Sequence, residues 1–159
     1  MADLSDPVVG HLSFNRFFWE REDAVRLFAE DFSVRLRFEG EEDMPLEDAQ
    51  RSAYAAFAAR TKEILAEAEA AVYDYYQEIA PEYREMFGDD AGRIVPVVTT
   101  AAELASIITP THLLIPRSVR EDQRVVGLVC DCTWEPGLGL GVKFINEQAV
   151  EIGTQDIVL

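Results

Sequence analysis

The feature that most constrains the fold is a long stretch without a helix breaker. It begins at Pro45, which suits the first turn of a helix, and it stays rich in Ala and Glu as far as Ile79. As one straight helix it would be about 51 Å long, whereas a compact chain of this length has a diameter of roughly 39 Å. We therefore expect a break near Arg60-Thr61, followed by a longer second helix that ends before Pro81.

Strand patterns lie on both sides of this stretch. Residues 32–38 alternate apolar and polar side chains, which predicts an antiparallel strand with its apolar side on a core and with Arg35 and Arg37 in water. Apolar clusters at 11–20 and 24–29 predict further N-terminal strands. The sequence thus favours a β-rich start before the helical middle.

The C-terminal part also has strand character. The S/T-x-x-E spacing of Thr100 and Glu103 predicts a short helix that stops at Thr109-Pro110. Strands are predicted at 111–115, 124–133, 138–145 and 149–152, with Asn146-Glu147 as a hairpin turn. We expect one α+β domain over residues 1–159. In it, an antiparallel sheet, built from N-terminal strands and a C-terminal meander, packs against a long, broken amphipathic helix.

The charge of the chain excludes several classes of protein. Thirty acidic residues against 14 basic ones give a formal net charge of −16, while 48% of the residues are hydrophobic. Because the basic residues are scattered, we expect no nucleic-acid binding.

Two further features concern the location of the protein. No apolar run has the length of a membrane span or a signal peptide. The only cysteines, Cys130 and Cys132, have the i,i+2 spacing of buried strand residues. A cytoplasmic protein is expected, and the excess of Arg over Lys is typical of a bacterial GC-rich genome.

A search for catalytic motifs gives no catalytic residue. His11 and His112 lie in separate strand-like segments, and neither a nucleophile elbow nor a phosphate-binding loop before a helix occurs. The two cysteines are half of a zinc site at most, and a buried structural role explains them as well. We predict no metal and no cofactor. An enzyme or small-ligand domain with a site between helix and sheet, near His112, stays as the alternative.

The acidic residues are unevenly placed, since residues 41–90 carry −10 of the net charge. At 100° per residue, Glu63, Glu67, Asp74 and Glu78 fall within about 60° of one another, opposite the apolar positions of the same helix. Between Thr61 and Ile79 the only cation is Lys62. This face is either a solubilising surface or a surface that binds a basic partner.

One further signal lies at the C-terminus. The segment from Cys132 to Phe144 reads CTWEPGLGLGVKF, and VEIGTQD follows at 150–156. These strings resemble bacterial domains of unknown function that end in C-x-W-[DE]-P-E-H-G-L-G-V-x-F and V-x-x-[IV]-G-x-Q-D, some of which are associated with immunity to polymorphic toxins. Where that pattern has Glu-His, this chain has Gly137-Leu138, so a role of that pair in metal binding or proton transfer is not implied.

The matching residues have two interpretations. In the structural one, the glycines allow a tight turn, Trp134 caps the sheet, and Gln155-Asp156 satisfy backbone amides. In the functional one, Trp134, Glu135 and Asp156 line a surface patch with the indole as an exposed anchor. Together with the acidic helix, the resemblance implies a binding protein of the toxin-immunity type that acts on a basic protein such as a toxin nuclease domain. A self-associating structural protein is a third alternative.

Overall fold

The computed structural model describes residues 2–117, 120 and 122–159. The strands are β1 (Asp3–Asp6), β2 (Gly10–Asn15), β3 (Phe18–Leu27), β4 (Glu30–Glu39), β5 (Ile108–Ile115), β6 (Val125–Cys132), β7 (Leu140–Ile145) and β8 (Gln148–Gly153). The α-helices are α1 (Asp48–Ala59), α2 (Thr61–Phe87) and α3 (Ala91–Ile94), and the 3-10 helices are η1 (Gly88–Asp90), η2 (Ala101–Ser106) and η3 (Gln155–Ile157).

All eight strands join one sheet in which the spatial order equals the chain order. Neighbouring strands are antiparallel, except that β4 and β5 are parallel. Parallel neighbours need a crossover connection, and the chain between β4 and β5 contains α1, α2 and α3. The expected α+β fold is confirmed. The sheet is larger than expected, with eight strands, and it is mostly rather than wholly antiparallel because β4 and β5 are parallel.

The two faces of the sheet differ. On the helix-covered face, buried residues such as Leu36, Leu113 and Leu128 stand side by side on β4, β5 and β6. The alternate positions, Arg35, His112 and Val129, point away from the helices because side chains alternate along a strand. We call this second side the outer face.

The N-terminal strands form three antiparallel hairpins, two of which have two-residue turns. Positive φ angles at Phe28 (54°) and Ala29 (64°) make the two-residue turn between β3 and β4. Another turn at Arg16-Phe17 divides the apolar cluster at 11–20 between β2 and β3. The strand predicted at 32–38 is confirmed as the central part of β4.

The expected helix break is confirmed. Arg60 separates α1 from α2 with φ −132° and ψ 27°. The expectation that the second helix ends before Pro81 is wrong, since α2 continues to Phe87. Pro81 is exposed, so water can satisfy the carbonyl that loses its helical donor. Tertiary contacts hold the last turns, because Arg84 donates hydrogen bonds to the carbonyls of Val95 and Pro96.

The segment after α3 also differs from the prediction. Thr100 does begin a helix, but this is a 3-10 helix that ends at Ser106, and Pro110 lies inside β5. β4 pairs with β5 only from His112 onward, and a register shift separates Pro110 from His112. A proline is tolerated there because no neighbouring strand needs its missing N–H.

The C-terminal meander is confirmed. β5 to β8 pair in sequence, and Asn146 and Glu147 form the predicted turn with positive φ angles. Cys130 and Cys132 are buried and free on the helix-covered face. No α-helix among the described residues is both long enough and apolar enough to cross a membrane.

Candidate functional site

The exposed side of α2 carries a row of carboxylates. Helix periodicity buries Ile64, Leu65, Ala68, Val72, Tyr76 and Ala80 against the sheet. The acidic residues Glu63, Glu67, Asp74, Glu78 and Glu85 are all exposed. At 100° per residue Glu85 falls on the same face as the four predicted residues, within about 60°. We call these five residues the acidic stripe.

Few cations accompany the acidic stripe. Arg60 donates to Glu63 over 2.9 Å, and the side chains of this pair are 54% and 68% exposed. No other carboxylate of the stripe has an ion pair within the described residues. The nearest cation on the helix, Lys62, lies on a different side, about 100° from Glu63. The stripe therefore presents negative charge that no partner within α2 neutralises.

Trp134 is not an exposed anchor. Its side chain is only 3% exposed, and its ring packs edge-on against Tyr76 of α2 with a centroid distance of 5.1 Å. The indole fills the space between α2 and the sheet, so burial of a large aromatic surface decides its place. The interpretation of Trp134 as a binding anchor is wrong.

Glu135 and Asp156 do not share a patch with Trp134. Glu135 accepts a hydrogen bond from the Tyr83 hydroxyl (3.0 Å), and burial together with this carboxylate raises the pKa of Tyr83 to about 12. Asp156 lies in η3 and accepts a hydrogen bond from the Thr154 hydroxyl. η3 packs on the outer face, whereas Tyr83 belongs to α2 on the other side of the sheet.

The glycines of the C-terminal signature make room for η3. Gly139 has φ 59°, and the side-chain amide of Gln155 beside it donates to the Cys130 carbonyl (3.0 Å). At Gly141, an added Cβ would lie 3.0 Å from the Thr154 carbonyl oxygen. These residues hold the end of the chain against the outer face, so packing explains this part of the signature.

A second group of polar residues lies on the outer face. Glu20, only 4% exposed, accepts hydrogen bonds from Asn15 (3.2 Å), Arg35 (2.9 Å) and Arg37 (2.7 Å). Burial raises the pKa of Glu20, but the hydrogen bonds from Asn15 and the two arginines outweigh it and hold this pKa below its ordinary value. The expectation that Arg35 and Arg37 simply face water is therefore wrong. Sequence reasoning missed Glu20, because only the hairpin register places it opposite Arg37.

Beside these arginines lies a cavity of about 260 Å³. Its lining residues are Phe18, Arg37, Thr111, His112, Leu114, Val129, Asp131, Gln155 and Leu159. We call it the His112 cleft. It lies on the outer face, whereas the sequence placed a His112 site between helix and sheet.

The protonation of His112 follows from its neighbours. The Thr111 hydroxyl donates its single proton to the Val129 carbonyl (3.1 Å), so at 2.9 Å it accepts from Nδ1–H of His112. Burial, and then the charge of Arg37, lower the pKa of His112. A neutral ring with Nδ1 protonated leaves Nε2 as a hydrogen-bond acceptor.

The comparisons with known proteins give one match. A family model described as a domain of unknown function, DUF6985, matches residues 8–159. Neither the curated proteins nor the solved structures contain a match to the chain. Among the residues that the structure describes, no three His, Cys, Asp or Glu side chains are grouped as a metal ion would require.

Proposed function

The chain belongs to the DUF6985 family, a domain of unknown function, and we propose that it is a protein-binding module that recognises a basic partner through the acidic stripe of α2. The interaction is of the kind that an immunity protein makes with a basic toxin domain in the bacterial cytoplasm. The resemblance of the C-terminal signature to immunity-associated domains supports this choice of partner.

The observation that carries the proposal is the length of the acidic stripe together with its scarcity of cations, since among the described ion pairs only Glu63 has one. From Glu63 to Glu85 the stripe extends for about 33 Å along one helix. A merely solvated helix gains stability from Lys or Arg placed at i+4 to its acids, and here Asp74 is instead followed by Glu78. Like charges at this spacing oppose folding, so their arrangement favours a role in binding.

Such a surface acts mainly on the rate of association. Aligned carboxylates attract a basic protein over several ångströms and raise the on-rate about 10- to 1000-fold over that of a neutral pair. Salt screens this attraction, with a Debye length of about 8 Å at physiological ionic strength. Binding is therefore expected to be fast and strongly salt-dependent.

The test compares two variants with the same change in net charge. In the first, Glu63, Glu67, Asp74 and Glu78 are all replaced by Lys. In the control, the exposed residues Glu42, Asp43, Asp89 and Glu151 are replaced by Lys. The immobilised wild-type protein is expected to retain basic proteins from an extract of the source cells at low salt.

The stripe variant should lose these proteins, and the control should keep them. Equal retention by both variants, or no retention by the wild type at low salt, would contradict the proposed function. Circular dichroism of both variants checks that α2 remains folded, since all eight positions are on the surface.

A second candidate function is small-ligand binding or catalysis in the His112 cleft. The observation that favours it is the fixed acceptor Nε2 of His112 beside Arg37, in a cavity with an apolar wall. A library of small polar metabolites is screened by the ring signals of His112 in NMR spectra. A compound that shifts them in the wild type and does not bind His112→Phe supports this function; a screen without such a compound argues against it.

A further inference from the structure

The β4 strand has a free edge over half of its length. On one side, all ten of its residues pair with β3. On the other side, only Arg35 to Phe38 pair with β5. Residues 30–34 therefore pair with no strand on the β5 side within the described part of the chain.

The hairpin register shows which backbone groups face this edge. Because Phe28 and Ala29 form a two-residue turn, Leu27 and Glu30 are a hydrogen-bonded pair. Hydrogen-bonded and non-bonded pairs alternate in an antiparallel ladder, so Glu30, Phe32 and Val34 direct their N–H and C=O groups towards β3. Asp31 and Ser33 direct theirs towards the open side. No backbone hydrogen bond outside the sheet reaches either residue from the described chain.

The neighbouring half of β5 does not pair with β4. Pro110 has no N–H, and pairing between the two strands begins only at His112, after a shift in the register of β5 against β6. A cleft of about 600 Å³ lies beside the first residues of β4. Its lining residues are Glu30, Asp31, Phe32, Pro96, Val97, Val98, Ala102, Glu103, Ala105 and Ser106. We call it the β4 edge cleft.

The lining defines the side chains that the β4 edge cleft can accept. Phe32 is partly buried and Val97 is 73% exposed, which gives the cleft an apolar surface. Glu30, Asp31 and Glu103 are acidic, and the lining contains no Lys or Arg. Asp31 forms an ion pair with Arg26, which lies outside the lining, over 3.1 Å. The other two carboxylates, those of Glu30 and Glu103, have no cation among the described ion pairs. A chain with alternating apolar and basic residues complements this surface.

The β4 edge cleft also borders the acidic stripe. Its wall residue Val98 accepts a hydrogen bond from the side-chain amide of Gln77 (2.9 Å). Gln77 stands between Asp74 and Glu78 on α2. One partner can therefore contact the stripe and the cleft together.

We propose that the β4 edge cleft binds an extended segment of the basic partner as an added strand next to residues 30–34. This proposal rests on the proposed function and names the mode of binding. The backbone groups of Asp31 and Ser33 supply the main-chain hydrogen bonds, as in other cases of strand addition to a sheet edge. Five residues of β4 give a contact about 16 Å long.

The probe is an acetylated and amidated nine-residue peptide of alternating Lys and Val. Amide hydrogen exchange of the full-length protein is followed by NMR with and without saturating peptide. The amides of Asp31 and Ser33 are expected to slow by at least about tenfold, because bound amides exchange only after the added strand dissociates. Phe32, whose amide already bonds to β3, should change much less. Unchanged exchange at Asp31 and Ser33 would overturn the inference.

A matched pair of variants tests the edge itself. Ser33→Pro removes the N–H that points to the open side of β4 and leaves the β3–β4 hydrogen bonds in place, whereas Ser33→Thr keeps this N–H. We expect Ser33→Pro to weaken peptide binding about tenfold and Ser33→Thr to bind like the wild type. Equal affinities in both variants would contradict the proposal. The exchange measurement on the wild type decides the question if Ser33→Pro does not fold.

The two proposals fail in different ways. If reversing the acidic stripe abolishes partner capture while Asp31 and Ser33 are never protected, the proposed function stands and strand addition fails. If Asp31 and Ser33 are protected by the peptide but stripe reversal leaves capture unchanged, the stripe has no role in recognition and the cleft alone binds.

Protection that increases with protein concentration in the absence of peptide would identify a second copy of the chain as the occupant, which overturns the partner assignment.

Discussion

The acidic stripe of α2 and the buried carboxylate of Glu20 show two opposite ways of placing negative charge in one chain. In the stripe, five exposed carboxylates share a helix face, and among the described ion pairs only Glu63 has a cation. On the outer face, Glu20 is nearly inaccessible and is bound by both Arg35 and Arg37. The first arrangement adds little to stability and leaves charge free for a partner, whereas the second stabilises the fold and leaves little of its charge free.

The largest effect is expected from Glu20→Gln. A neutral amide cannot balance the two arginines, so the unfolding free energy should fall by about 2 kcal/mol. We expect this loss to be smaller than for a fully buried ion pair. Arg35 and Arg37 are 43% and 30% exposed, so water can replace part of their interaction with Glu20. Urea unfolding followed by fluorescence measures the change.

Glu22→Gln is the control for this substitution. Glu22 is on the same strand and on the same face as Glu20, but it is exposed. Its replacement should change the unfolding free energy by less than about 0.5 kcal/mol. Equal losses of unfolding free energy in the two variants would show that the contribution of Glu20 to stability does not depend on its burial.

The second prediction concerns the stability of the protein at low pH. Asp6 resembles Glu20, since its buried carboxylate accepts hydrogen bonds from the Val8 and Val9 amides and from Arg51. Burial alone raises the pKa of Asp6, but these hydrogen bonds dominate and lower it, as they do for Glu20. A lowered folded-state pKa stabilises the protein above the unfolded-state value, near pH 4, and this contribution disappears as pH falls through the folded-state pKa.

The wild-type protein should therefore lose stability as pH falls below about 5. The double variant Asp6→Asn, Glu20→Gln is expected to be less stable at pH 7 and to lose less between pH 6 and pH 3. Thermal unfolding across this range measures the slope. A double variant with the wild-type slope would assign the acid sensitivity to other carboxylates.

The acidic stripe could be located from the sequence and Glu20 could not, for a physical reason. The positions of Glu63, Glu67, Asp74 and Glu78 depend only on the period of one helix, which the apolar residues of α2 fix locally. The partners of Glu20 depend on the pairing of β3 with β4, and therefore on where the Phe28-Ala29 turn lies. Local periodicity is visible in a sequence, whereas register requires the fold.

The other differences also have tertiary causes. The break at Arg60 was predictable because a straight helix would exceed the size of the chain, but α2 passes through Pro81 because its last turns are held by contacts with residues 95–96. The sequence left open whether Trp134 caps the sheet or is an exposed anchor. Only the position of Tyr76 shows that the indole closes the core.

The smallest predicted effect tests whether the stripe opposes stability. Asp74 and Glu78 are like charges at i,i+4 on the exposed face of α2. Glu78→Gln should therefore raise the unfolding free energy by about 0.2–0.5 kcal/mol at low salt, and 1 M NaCl should remove this gain. The control Glu42→Gln lies before α1, away from the stripe, and should change stability less. A loss of stability in Glu78→Gln would mean that the Glu78 carboxylate stabilises the fold. The acidic stripe and Glu20 would then both contribute to stability, and the proposed difference between them would not hold.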